Sequence, residues 1–153
     1  MPENNRSRND PNTTNPNQYN FLKIDSLLDD NGIIRTVLIN DIGDNNAKYL
    51  AEILSQKLED KKDKQIEKNQ IRKFYDNFLR IYNSNVDEGT KKVMLLMQKA
   101  HTEYSEKRLN IRRFKIFYTS RLDSVISKNG SDFQKNLDAL KLHLEAVIGY
   151  FPK

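Results

Sequence analysis

The sequence predicts an all-α fold, a compact bundle of about five helices behind a disordered N-terminal tail. From Asn45 onward, apolar residues recur three and four positions apart, which is the spacing of one face of an α-helix. Only one short run, residues 33–39, is rich in β-branched residues, and no second segment offers it a partner strand. The apolar stripes show neither a repeat of roughly 20–50 residues nor a sustained heptad pattern, so neither a solenoid nor a long coiled coil is expected.

The disordered tail is predicted over residues 1–20, and a single helical domain over residues 21–153. The tail contains seven asparagines and three of the four prolines, and Tyr19 is its only aromatic residue. Such a composition cannot bury enough apolar surface to offset the entropy lost on ordering.

Residues 21–43 have a mixed pattern. Four apolar residues follow helical spacing, but Asp29-Asp30-Asn31-Gly32 interrupts the pattern; they are Phe21, Ile24, Leu27 and Leu28. The β-branched run that follows is compatible with a short strand. Because no partner strand is available, we favour a helix or an irregular packed segment.

Five helical segments follow, each predicted from one apolar stripe. We expect Asn69 to cap the second segment, Leu109-Asn110 to mark a possible break after the third, and Ser131 with Gln134 to form a capping box at the start of the fifth. The predicted inward residues are Ala47, Leu50, Ala51, Leu54 and Leu58; then Ile71, Phe74, Tyr75, Phe78 and Tyr82; then Val93, Leu96, Met97, Ala100 and Tyr104; then Ile111, Phe114, Tyr118, Leu122 and Val125; and finally Phe133, Leu137, Leu140, Leu144, Val147 and Phe151.

The composition argues against most enzyme classes. The chain has no cysteine, only His101 and His143 as histidines, and five glycines. Disulfide scaffolds, zinc ribbons and thiol nucleophiles are therefore excluded, and we expect no cofactor and no metal centre. No apolar stretch approaches the roughly 18–20 residues that cross a bilayer, and no signal-peptide pattern is present, so we expect a cytoplasmic protein with no membrane partner.

Positive charge is concentrated in the second part of the chain. Residues 1–60 hold 6 Lys/Arg against 10 Asp/Glu, a net charge of −4, whereas residues 61–153 hold 20 against 11, a net charge of +9. A basic module of this kind favours a polyanionic partner, although a solvated helix face has a similar pattern.

Two groups of basic residues are candidate contacts to a nucleic acid or another polyanion. The stretch 107–122 contains no acidic residue, and its helical geometry places Arg113, Ile116 and Phe117 on a face away from the predicted core. That face is compatible with a nucleic-acid backbone, with a protein neighbour, or with a core in which other helices cover Ile116 and Phe117. The charge pattern proposes Arg112, Arg113, Lys115 and Arg121 here, and Lys73 and Arg80 on the second helix.

Three short motifs resemble a known family. The run Asn69-Gln70-Ile71-Arg72-Lys73-Phe74-Tyr75 is similar to the Gln-Ile-Arg-Lys signature of the small subunit of type III-A (Csm) CRISPR effector complexes. The ending Glu145-Ala146-Val147-Ile148-Gly149-Tyr150-Phe151 is similar to the end of that family. Between them, Tyr104 and Arg108 match its Tyr-x3-Arg spacing. The resemblance covers about residues 65–151.

The resemblance implies a small helical protein without catalytic residues. Copies of such a protein stack along the guide RNA–target RNA duplex, beside the other subunits of the complex, and contact the target backbone without reading its sequence. It also implies self-association in a filament or dimer, and it assigns Arg72, Lys73 and Arg108 as RNA contacts. The alternatives are a generic helical interaction module with an acidic protein partner, and a small enzyme that uses His101 or an unplaced carboxylate.

Overall fold

The computed structural model describes residues 18–152, and the all-α prediction is confirmed in them. These residues form five α-helices, two single 3-10 turns (Asn20–Leu22 and Thr36–Leu38) and no strand. The helices are α1 (Ala47–Ser55), α2 (Lys68–Tyr82), α3 (Glu88–Leu109), α4 (Arg112–Ile126) and α5 (Gly130–Gly149).

The last four helices close a ring. Helix α2 packs on α3, α3 on α4, α4 on α5, and α5 back on α2, while α1 packs on the outside of α5. Aromatic rings fill the space between α2 and α4: the ring centroids of Phe74 and Phe114 lie 4.7 Å apart, and those of Phe114 and Tyr118 lie 5.3 Å apart. The buried apolar residues form one cluster that reaches from Tyr19 to Phe151.

The helix starts agree with the sequence in part. Asn46 and Asp87 cap α1 and α3 by accepting hydrogen bonds from backbone N–H groups. The predicted cap at Asn69 is wrong, because Glu67 caps α2 and forms a capping box with Gln70. The predicted box at Ser131 is also wrong, because α5 already begins at Gly130. The possible break at Asn110 is real: its φ of 60° is left-handed and ends α3.

The segment before α1 is irregular and packed, which was one of the two favoured possibilities. The carboxylate of Asp29 accepts hydrogen bonds from the N–H groups of Asn31 and Ile33, and Gly32 supplies the positive φ of 76° that closes this turn. A single bridge joins Leu28 to Ile34 across the turn, so no strand develops.

Two residues assigned to the tail belong instead to the packed structure. Tyr19 is buried and its hydroxyl donates a hydrogen bond to Asp63, and Asn20 begins a 3-10 turn. Residues 1–17, on which the rest of the disorder prediction falls, lie outside the described residues.

The inward face of α3 was predicted wrongly. All five residues that were expected to face inward are exposed, namely Val93, Leu96, Met97, Ala100 and Tyr104. The helix instead buries Leu95, Gln98, Thr102 and Ser105.

Hydrogen bonds make this polar interior face possible. The Thr102 hydroxyl donates to the carbonyl of Gln98 at 2.8 Å, and the Gln98 amide donates to the Tyr118 hydroxyl at 3.3 Å. Small side chains and hydrogen-bonded polar ones therefore occupy the buried face of α3, and its apolar stripe faces outward.

Candidate nucleic-acid interface

The groove between α2 and α3 brings together two predicted RNA contacts, Lys73 and Arg108. It has a volume of about 280 Å³. Helix α2 contributes residues at i, i+3, i+4 and i+7, and α3 contributes residues at i, i+4, i+7 and i+8, so each set lies on one side of its helix. The lining residues are Gln70, Lys73, Phe74 and Asn77 from α2, and His101, Ser105, Arg108 and Leu109 from α3.

The chemistry of this α2–α3 groove suits a phosphodiester. No carboxylate lines it, and neither Lys73 nor Arg108 forms an ion pair with another described residue. The imidazole of His101 packs on Phe74, with the ring centroids 5.7 Å apart. The Arg108 guanidinium lies 5.8 Å from the ring centroid of the exposed Tyr104. The groove therefore offers two cations, two amides and aromatic surface to a ligand.

A second groove, between α3 and α4, holds Arg112 and Lys115 but carries mixed charge. Lys115 lies 3.5 Å from Glu103 and 3.9 Å from Glu106. Arg112 forms no ion pair with a described residue. The volume is about 530 Å³, and the lining includes Tyr19, Asn20, Lys23, Lys99, Glu103, Arg112, Lys115, Ile116, Thr119, Ser120 and Asp123. Its four cations and two carboxylates give the same net charge of +2 as the α2–α3 groove, but Lys99 and Lys115 are already paired with carboxylates, whereas both cations of the α2–α3 groove are free of ion pairs with described residues.

The prediction that Arg113 lies on an exposed basic face is wrong. Its side chain is only 2% exposed, and Nε donates to Oδ1 of the buried Asp63 at 3.0 Å. Its remaining N–H groups donate to carbonyls at the end of α1, including that of Gln56 at 2.9 Å and that of Ile53. Arg113 therefore ties α4 to the connector behind α1, and at 2% exposed its side chain does not reach the surface where RNA would bind.

Tyr19 completes this buried cluster. Its hydroxyl donates to the Asp63 carboxylate, so one carboxylate serves both Arg113 and the N-terminal segment. Burial and the hydrogen bond to Asp63 raise the pKa of Tyr19 to about 12, so the phenol stays protonated at neutral pH.

Arg121 is also buried, so the expectation that it belongs to an exposed basic surface is wrong. Its Nε donates to His143 at 2.8 Å, and Nη1 donates to the carbonyls of Phe117 and Leu22. The guanidinium lies 3.9 Å from the ring centroid of Phe117, which is fully buried. The face with Phe117 was compatible with a nucleic acid, with a protein neighbour or with the core. The structure places Phe117 in the core.

The hydrogen bonds of His143 identify its protonation state. Because Arg121 donates to Nε2, the ring proton lies on Nδ1 and is donated to the carbonyl of Leu38 at 2.6 Å. Burial and the neighbouring Arg121 lower the pKa of His143 to about 3, so the ring is neutral at physiological pH.

Arg72 and Arg80 lie apart from the α2–α3 groove. Arg72 lines a groove of about 400 Å³ between α2 and α5, where the hydroxyl of Tyr75 donates to Glu145. The two motifs at 69–75 and 145–151 therefore meet in space. Arg80 is exposed near the end of α2 and lines none of these grooves.

The sequence interpretation did not assign the remaining polar residues of the α2–α3 groove, which include the buried Ser105. Gln70 and Asn77 are three and four positions from Lys73, and His101 is seven positions before Arg108. These spacings place each on the same side of its helix as the predicted cation, so helical geometry applied to Lys73 and Arg108 could have found them.

The described residues contain neither a helix long and apolar enough to cross a membrane nor a cluster of three His, Asp or Glu side chains able to hold a metal ion. No curated protein and no solved structure matches the chain significantly. The family model described as Csm2 Type III-A matches residues 41–152, which is most of the chain and includes every residue of the α2–α3 groove. The protein therefore belongs to the Csm2 Type III-A family and is a small subunit of the type III-A CRISPR effector complex, in which it assembles with the other subunits.

Proposed function

We propose that this subunit is non-catalytic and contacts the target RNA backbone through the α2–α3 groove. The observation that carries the proposal is the convergence of Lys73 and Arg108 in a groove with no carboxylate. In the cell, the subunit would act in the cytoplasm, where copies would stack along the guide–target duplex beside the other subunits.

The groove residues have complementary roles in this proposal. Arg108 presents a planar fork that pairs with two phosphate oxygens, and Lys73 adds a mobile point charge. Gln70 and Asn77 offer amides to 2′-hydroxyls or further phosphate oxygens. None of these contacts distinguishes one base from another, so sequence is read by base pairing alone.

The other cations that reach the surface would extend the electrostatic contact on either side. Arg112 and Lys115 lie beyond α3, and Arg72 and Arg80 lie on other parts of α2. They increase the positive potential along the duplex, although only Arg112 among the α3–α4 groove candidates is free of an ion pair in the described residues.

The experiment is a salt titration of target RNA binding by the complex reassembled with guide RNA. The double variant Lys73→Gln/Arg108→Gln should weaken binding about equally for all target sequences. The slope of log affinity against log salt should flatten by roughly 0.7–0.9 for each phosphate that a copy of the variant no longer neutralises. Lys135→Gln is the matched control, since Lys135 is exposed on α5 and lines none of the three grooves. An unchanged slope in a complex that contains the normal number of copies of the double variant would refute the groove assignment.

The acidic-partner alternative predicts a different result in the same experiment. If the groove binds protein, the double variant will drop out of the complex during purification, while complexes that retain it will bind RNA normally.

The enzyme alternative depends on His101, because this residue lines the α2–α3 groove. General acid–base cleavage of RNA needs a second proton-transfer group, and the groove supplies Lys73 but no carboxylate and no second imidazole. We expect His101→Gln to leave RNA cleavage by the assembled complex unchanged. A loss of cleavage with RNA binding intact would establish His101 as catalytic and refute the non-catalytic assignment.

A further inference from the structure

A cleft between α4 and the irregular segment before α1 contains two guanidinium groups, those of Arg35 and Arg121. This N-terminal cleft has a volume of about 390 Å³. Its walls come from the segments around residues 21–26, 35–38 and 44–45, and Arg121 of α4 lines it from the interior. Most of these residues precede position 41, where the family match begins. The cleft therefore depends on a part of the chain that the family match does not cover.

Arg121 has no counter-ion among the described residues, unlike the other buried arginine of α4. Arg113 is paired with the carboxylate of Asp63. Arg121 is 1% exposed, and its acceptors are the neutral ring of His143 together with carbonyl and hydroxyl oxygens. Because a buried charge is costly without an opposite charge beside it, the comparison indicates an anion that binds from outside the chain.

Both arginines of the cleft keep N–H groups that can bind such an anion. No described residue accepts a hydrogen bond from Nη2 of Arg121. The one fully buried side-chain polar atom without a partner in the described residues is Oδ1 of Asn136, so Nη2 of Arg121 retains contact with the cleft. The half-buried Arg35 donates through Nη1 to the carbonyl of Ser26 at 2.9 Å, and its Nε and Nη2 have no described acceptor.

The electrostatic surroundings of Arg121 are positive. Burial and the charge of Arg35 lower the pKa of Arg121 to about 9, so the guanidinium stays charged at neutral pH. Two carboxylates, those of Asp25 and Asp44, also line the cleft. Both are exposed, and neither forms an ion pair with a described residue. An anion between the two guanidiniums would therefore relieve a repulsion that the described side chains leave in place.

We propose that the N-terminal cleft binds a phosphate group between Arg35 and Arg121. The N–H pairs of guanidinium groups match the oxygens of a phosphate, and Lys23 adds a third cation to the lining. The cleft has more room than an inorganic phosphate fills, and the exposed ring of Phe21 forms part of its wall. The phosphate is therefore either free or part of a nucleotide whose remaining atoms lie against Phe21.

This site is separate from the proposed RNA contact. Arg35 and Arg121 line neither the α2–α3 groove nor the α3–α4 groove, and Lys73 and Arg108 lie outside the cleft. A bound phosphate would tie the segment before α1 to α4 and stabilise the fold there. The phosphate site can fail while the RNA contact stands, and the reverse also holds.

The first test is calorimetric titration of the full chain with inorganic phosphate at constant ionic strength. The variant Arg35→Gln should raise the dissociation constant about tenfold or more, as expected for the loss of a charged hydrogen-bond donor. Arg35 is changed rather than Arg121, because Arg121 also holds the interior together. The control is Lys73→Gln/Arg108→Gln, which removes the other candidate phosphate contacts and should bind as the wild type does. Equal affinity in Arg35→Gln and the wild type, or loss of binding in the control alone, would overturn the proposal.

The second test needs no substitution. The Nε–H group of Arg121 is held by His143, and its nuclear magnetic resonance signal in the ¹⁵N-labelled wild type should shift when phosphate is added. Sodium chloride at the same ionic strength should leave the signal in place. A signal that does not move in saturating phosphate would rule out binding at Arg121.

Adenosine 5′-monophosphate distinguishes the two sources of the phosphate group. Tighter binding than inorganic phosphate, lost in Phe21→Ala, would support a nucleotide ligand. Equal affinity for the two compounds would support free phosphate. Binding of neither compound to the wild-type chain would overturn the proposal.

Discussion

Replacing Arg113 with Gln should severely destabilise the protein, although its neighbour Arg112 should tolerate the same change. The Arg113 guanidinium is the cation beside the buried Asp63 carboxylate, and it also bonds backbone carbonyls at the end of α1. The variant leaves a carboxylate that is 2% exposed with only the Tyr19 hydroxyl as its partner side chain. Breaking one side of a buried ion pair costs about 3–5 kcal/mol.

That free energy corresponds to a large change in melting temperature. With an unfolding entropy of about 2.1 cal/mol/K per residue, the folded residues 18–152 should lose roughly 11–18 °C in melting temperature. The assay is thermal unfolding of the two single variants followed by circular dichroism. Arg112→Gln should melt within about 2 °C of the wild type, because Arg112 is half-exposed and forms no ion pair with a described residue.

A double variant separates the broken ion pair from other effects of the substitution. Adding Asp63→Asn to Arg113→Gln removes the buried charge, so the double variant should lose less stability than the sum of the two single variants. Melting temperatures of Arg113→Gln and Arg112→Gln that agree within error would refute the assignment of Arg113 to the interior.

Two further predictions concern the interior. Because the folded pKa of His143 is depressed to about 3, the unfolded chain binds a proton near pH 6.5 that the folded chain does not, and stability falls as the pH falls below that value. Urea unfolding should show that the free energy of unfolding falls by about 2 kcal/mol between pH 8 and pH 5. The His143→Gln variant should lose this pH dependence, whereas His101→Gln should keep it. An equal pH dependence in both variants would contradict the neutral buried imidazole. On α3, Thr102→Leu should lower the free energy of unfolding by about 1–3 kcal/mol through overpacking, whereas Ala100→Leu on the exposed side should change it very little. Chemical denaturation measures both values. The opposite order would mean that the apolar stripe, and not Thr102, faces the interior.

Most of the fold follows from local patterns. The apolar stripes of α1, α2, α4 and α5 predicted the buried residues well. Large apolar side chains at helical spacing form one face of a helix, and that face packs against the core. The helix ends were less predictable: Asn69 and Ser131 are good capping residues, but the chain uses Glu67 and starts α5 before Ser131. Several residues near a helix start can satisfy the same free N–H groups.

The sequence predicted the two cations of the α2–α3 groove but not its other lining residues. The motif resemblance pointed to Lys73 and Arg108, and the structure places both in one groove, while the RNA contact itself stays a prediction. The charge pattern alone could not separate exposed cations from Arg113 and Arg121. A charged side chain is buried only where hydrogen-bond acceptors surround it. The acceptors of these two arginines are distant from them along the chain.

The sequence by itself determined which segments are helical, where positive charge accumulates and which family the motifs resemble. The tertiary structure decided which face of α3 turns inward and which arginines are structural. Arg121 finds an acceptor at Leu22, 99 positions away, and Arg113 finds one at Ile53, 60 positions away. Likewise, the buried face of α3 carries Thr102 and Ser105, and the neighbouring Gln98 on that face bonds to Tyr118 of α4, 20 positions away. Such choices depend on neighbours that only the folded chain brings together, and no local periodicity encodes them.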